Sequence, residues 1–127
     1  MSEEIDWHPL RVLAQRVLEN QEPLVLTEDV RALLRRTGSQ VALGADEVEQ
    51  ALGDLLGATG LLREIARRIA EGSDRLGPAL RGMYRLRDAG DLEGARRQME
   101  QVLAVEVVPL YREIAAGELA KLDELKR

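Results

Sequence analysis

Residues 90–115 read GDLEGARRQMEQVLAVEVVPLYREIA, and the reading of their centre decides the fold. Taken alone, VLAVEVVPLY (102–111) has the β-branched density of a strand, with Glu106 stranded among apolar residues and a proline at 109. The spacing argues otherwise. Leu92, Ala95, Met99, Val102, Leu103, Leu110 and Ile114 fall within about 120° of arc at a helical 100° per residue. Two-fold alternation fails, because Val107 and Val108 are adjacent and Met99 opposes Val102. The expectation is one long helix that starts at an Asp91 N-cap and is bent near Val105 by Pro109. It runs on weakly through Leu119, Leu122 and Leu125.

Outward from this stretch the chain stays helical. DRLGPALRGMYRLRDA (74–89) predicts a helix capped by Ser73 or Asp74, burying Leu76, Leu80, Met83, Tyr84 and Leu86 and stopping at Gly90. Val48, Ala51, Leu52, Leu55 and Leu56 share one face, and Leu61, Leu62, Ile65, Ala66 and Ile69 resume the same period. GATG at 57–60 threatens that run, since an interior glycine costs about 1 kcal/mol against alanine. Residues 45–72 are therefore either two helices meeting near Gly57–Gly60 or one bent helix ended by Gly72. Upstream, Thr27 is an N-cap for EDVRALLRRT, with Gly38 as its stop. Asp6 and Pro9 open a first helix carrying Leu10, Leu13, Ala14, Val17 and Leu18. LVL (24–26) and VAL (41–43) could at most form a two-stranded ribbon. The fold class expected is all-α, a single-domain bundle of five to six helices over residues 1–127, with a long Pro-kinked C-terminal helix. Residues 1–5 and 124–127 are expected to be flexible termini.

Composition agrees with that class. A chain of 127 residues with 45% hydrophobic content suits one ordinary domain. Its aromatics are only Trp7, Tyr84 and Tyr111, so the core must be aliphatic. The absence of cysteine excludes disulfides, thiolate zinc sites and a Cys nucleophile. MSEEIDWHPL has neither a basic nor an apolar leader region, and no apolar run approaches the roughly 20 residues needed to span a bilayer. A cytoplasmic protein is the expectation. A net charge of −5 opposes general binding to nucleic acid or anionic lipid.

Three phrases, RIAEGSDRL, RLRDAGDLEGARRQME and VLAVEVVPLYREIAAGEL, together with the opening DWHPLRVLAQRVL, resemble the DUSAM domain family, a group of small paralogous proteins expanded in myxobacteria. The resemblance covers essentially the whole chain and implies a cytoplasmic bacterial protein. It implies no activity and no site residues. MYRLRDAGDLEGARRQMEQVL is also similar to the helical hairpin of a tetratricopeptide repeat, with Gly90, Asp91 and Ala95 in place. No second copy follows at about 34 residues, so only the hairpin shape is implied.

Few residues suggest chemistry. His8 is the only histidine and has no partner at ligand spacing, and the serines have no histidine nearby. Neither a dinucleotide-binding nor a P-loop glycine pattern occurs. TEDVRALLRRTGSQVALGADEVEQAL loosely suggests a DNA-reading pair of helices, but ADEVEQALGDL carries four acids and no base. Glu106 lies at the angle of Ala95 and Met99, and a buried carboxylate must be paired or protonated. Its candidate partners are Arg67, Arg68, Arg75, Arg81, Arg85 and the Tyr84 hydroxyl. Glu106 and Tyr84 are thus the buried polar candidates, and the five arginines are a candidate interaction face. Residues 63–97 hold nine arginines against six acids, a local charge of +3, between acidic flanks.

The function expected is a non-catalytic protein-interaction module, an adaptor or regulator, needing no cofactor or metal. Its partner is another protein or a second copy of the chain. The alternative is a small acidic protein that neutralises a toxin or enzyme, and a small-ligand binder using Glu106 ranks behind both.

Overall fold

The computed structural model describes residues 4–126. Among them there is no strand, and six α-helices account for the architecture: α1 (His8–Ala14), α2 (Glu28–Gln40), α3 (Ala45–Ala51), α4 (Leu55–Asp88), α5 (Leu92–Val105) and α6 (Pro109–Leu125). The chain divides into two compact units, Met1–Arg68 and Ile69–Arg127. Helix α4 contributes to both. Of the termini expected to be flexible, residues 1–3 and 127 lie outside the described residues, while Glu124 and Leu125 belong to α6.

In the first unit, α1 starts where the Asp6 carboxylate accepts the His8 N–H at 3.0 Å, and Pro9 occupies a first-turn position that needs no donor. The helix widens into a π-helical turn over Gln15–Glu19. Trp7 is buried and donates its indole N–H to Gln40 Oε1 at 2.9 Å. Thr27 caps α2 as expected, its hydroxyl accepting the Val30 N–H at 3.2 Å. Gly38 does not stop this helix. It lies inside α2, where a Cβ would come within 2.9 Å of Val48 Cγ2, so the glycine permits close packing of α3. The break between α3 and α4 falls at residues 52–54, not at Gly57–Gly60. There the Asp54 carboxylate accepts the Gly57 N–H at 2.6 Å, and α4 starts at Leu55. Leu10, Leu34, Val41, Leu62 and Ile65 are fully buried in this unit.

The second unit is a three-helix arrangement of α4 from Ile69 onward, α5 and α6. Helix α4 runs uninterrupted through Gly72, Ser73 and Asp74, so the expected stop and cap there do not form. It also absorbs Pro78, which removes the amide that would bond the Asp74 carbonyl, and the preceding Gly77 lacks the Cβ that a proline would crowd. Gly90, at φ +85°, reverses the chain, a conformation that costs other residues about 1 kcal/mol or more. Asp91 then caps α5 through the Gly94 N–H at 2.8 Å.

The C-terminal bend is a complete interruption. Helix α5 ends at Val105, Glu106 is extended (ψ 134°), and Pro109 is the first residue of α6. Proline fits that position because first-turn amides lack intrahelical acceptors. Helices α5 and α6 form an antiparallel hairpin, tied at its open end by the ion pairs Arg96–Asp123 and Lys126–Glu93. The interruption resets the helical phase. Ala95, Met99 and Val102 are the buried stripe of α5, whereas α6 buries Tyr111, Ala115 and Leu122. Those three lie about 180° from the α5 stripe if the helix is extrapolated at 100° per residue. Leu110 is accordingly half-buried and Ile114 exposed, although both were expected on the continuous stripe.

Candidate functional site

The three-residue connector between α5 and α6 concentrates the polar interactions of the second unit. Val102 still accepts the Glu106 N–H at 2.8 Å, the last bond of α5. The Glu106 carboxylate then turns back on the chain. Its Oε2 accepts the Val107 and Val108 amides, both at 3.0 Å, and its Oε1 accepts Arg75 Nη1 at 2.7 Å. The carboxylate is 1% exposed and the Arg75 side chain 33%, so the cation reaches water while the anion does not. Negative charge at the start of α6 also complements its dipole.

Arg112 completes the connector. Its Nη1 donates to the carbonyls of Leu103 (2.7 Å) and Glu106 (2.9 Å), acceptors that the end of α5 leaves without amides. Tyr111, one residue earlier, is buried and donates its hydroxyl to the Ile69 carbonyl at 3.1 Å. This places the Tyr111 ring against Gly72. A Cβ at 72 would fall well inside contact distance of the ring and 3.0 Å from Glu106 Oε1. Arg112 did not stand out in the sequence, and Gly72 stood out only as a helix stop, because neither the carbonyls that Arg112 meets nor the ring packed on Gly72 is revealed by residue type.

Of the residues singled out by sequence, the structure brings only Arg75 to Glu106. Tyr84 is not a buried partner: it is 38% exposed, with its hydroxyl 3.4 Å from Glu118 Oε1 and the Arg87 guanidinium 4.9 Å from its ring centroid. The reason is helical geometry, because nine residues along α4 place Tyr84 about 180° from Arg75. Arg67 and Arg68, in the first unit, both bond Glu64, and Arg68 also donates to the Val41 carbonyl at 2.9 Å. The hydrogen bond from Arg67, joined by that from Arg68, holds the Glu64 carboxyl below its ordinary range against the opposing effect of burial. Arg81 and Arg85 are exposed and, among the described residues, form no ion pair.

A shallow groove of about 360 Å³ opens beside Arg75, lined also by Pro78, Ala79, Gln98, Gln101, Val102 and Val105. Val105 at its end is 59% exposed. Among the described residues no group of His, Asp or Glu has the arrangement of a metal site, and no buried side-chain polar atom lacks a partner. No helix among them is long and apolar enough to cross a membrane. The Glu106 carboxylate is committed to three donors, which makes it a clasp for the connector.

A six-helix chain with a saturated internal carboxylate defines an architecture more sharply than a chemistry, and comparison with known proteins gives the same picture. A family model described as a protein of unknown function, DUF2379, matches residues 5–122. The chain belongs to that family, which is the DUSAM family that its sequence resembles. No curated protein and no solved structure matches it.

Proposed function

We propose that the protein is a non-catalytic protein-interaction module, an adaptor or regulator acting in a bacterial cytoplasm, that presents Arg81, Tyr84 and Arg85 to an acidic partner. The observation that carries this reading is the state of the arginines in the second unit. Arg75, Arg87, Arg96 and Arg112 are occupied by Glu106, Asp88, Asp123 and backbone carbonyls. Arg81 and Arg85 are exposed with no ion pair among the described residues, although the chain carries a net −5. Spacings of three and four residues put both on one face of α4 with Tyr84, itself exposed. Arginine and tyrosine are the residue types enriched where proteins dock, because a planar fork and a rigid ring bind with little loss of freedom.

The experiment is affinity capture from source-cell extract with the wild type and an Arg81→Glu/Arg85→Glu variant. Both positions are exposed, so the variant is expected to fold with an unchanged circular dichroism spectrum and to lose the captured protein. Identical capture by the two would reject this face.

A further inference from the structure

The first unit carries a second surface with a different logic. A groove of about 410 Å³ between α1 and α2 has Pro9, Leu13, Val30, Ala32 and Leu33 as its apolar lining, together with Asp29 and Arg36. Both charged residues are exposed, and neither has an ion-pair partner among the described residues. The neighbouring Arg35 differs, being bound to Glu49 of α3 at 2.6 Å. Arg36 also borders an adjoining groove with the exposed acids Glu4 and Asp6, and it is ion-paired to neither.

Along α2, Asp29, Ala32, Leu33 and Arg36 share one face about 100° wide. Their order, acid, small apolar, large apolar, base, is complementary to itself when reversed. If a second α2 is laid antiparallel about a two-fold axis between residues 32 and 33, Asp29 meets the second copy's Arg36. Arg36 meets its Asp29, and each Ala32 meets a Leu33. Two identical ion pairs then flank an apolar centre, the reciprocal pattern an isologous interface requires. The antiparallel dipoles and the acids Glu28 and Asp29 at the N-terminus of α2 favour the same alignment.

We propose that a second copy of this chain docks here, α2 against α2, to form a homodimer. Helix α2 is 13 residues, roughly 20 Å, long. The contact is therefore at the small end of specific interfaces, and the dimer should dissociate reversibly on dilution. The surface is separate from the Arg81/Arg85 face, so the failure of either proposal leaves the other standing.

Sedimentation equilibrium of the full chain from roughly 10 to 500 μM, at low and high salt, tests the proposal. The wild type is expected to dimerise with rising concentration and less so at high salt. Asp29→Arg makes both ends of the stripe basic and Arg36→Asp makes both acidic. Each alone should weaken association at least about tenfold, while an equimolar mixture should recover a heterodimer at wild-type strength. Ala32→Glu leaves both ends of α2 intact, places like charges at the centre, and should also be monomeric. A monomeric wild type, variants that dimerise as the wild type does, or a mixture of folded charge variants that stays monomeric would each overturn it.

Discussion

Two places in the second unit behave against their local sequence. At Gly72–Ser73–Asp74 a glycine followed by two good capping residues looks like the end of one helix and the start of another, yet α4 passes through unbroken. At Val105–Pro109 an apolar periodicity looks continuous, yet the helix stops and a new one begins. The two departures meet in space. The Tyr111 ring and the Glu106 carboxylate, which exist in their present positions because of the break, occupy the room that the missing Cβ of Gly72 provides. The glycine is there for closeness and not for termination, and at the break a carboxylate caps the connector while a proline stands as the first residue of α6. The break is braced by local bonds and also by contacts between residues more than thirty positions apart, Arg75 with Glu106 and Tyr111 with Ile69.

The largest effect that could break this pairing is expected from Arg75→Ala. It leaves the Glu106 carboxylate buried with backbone donors only, and should cost about 3 kcal/mol, the low end for disrupting a buried pair because Arg75 is partly exposed. Adding Glu106→Gln to that background should restore part of the loss, since no buried charge then remains. Thermal denaturation of the three proteins decides it, and equal melting temperatures would mean the clasp does not hold the connector. Next comes Gly72→Ala. Helix propensity alone predicts a gain of about 1 kcal/mol. The Tyr111 ring predicts a loss of about 2 kcal/mol by overpacking, so the sign of the change in urea denaturation distinguishes the two accounts. The smallest effect is expected from Pro109→Ala, under about 0.5 kcal/mol with unchanged helicity by circular dichroism. A rise in helicity on that substitution would mean that α5 and α6 fuse, and that proline, not Glu106 and Arg112, keeps them apart.

The class of fold was legible because apolar spacing repeats at the helical period over most of the chain, and the caps at Thr27 and Asp91 were legible because capping is local. What sequence could not resolve depends on partners distant along the chain. Gly38 and Gly72 resemble helix stops until Val48 and Tyr111 are seen beside them. The phase of α6 was ambiguous because Leu110 and Ile114 extend the α5 stripe while Tyr111, Ala115 and Leu122 form an equally regular one. A reading that allowed the phase to slip at Pro109 would have found the second stripe. The same holds at the connector: five arginines and a tyrosine could have met Glu106, and only the course of α4 selects Arg75 and turns Tyr84 away.

The scarcity of aromatic residues has a practical side. The lone indole, Trp7, lies in the first unit, and both phenols, Tyr84 and Tyr111, lie in the second. Trp7 is buried against Gln40, so its emission under selective indole excitation reports on packing within the first unit, while the tyrosine signal combines Tyr111, buried against Gly72, with the exposed Tyr84. The protein thus carries a separate native chromophore for each half. Tryptophan and tyrosine fluorescence followed in a single melt tell directly whether the two units lose their structure together or in turn.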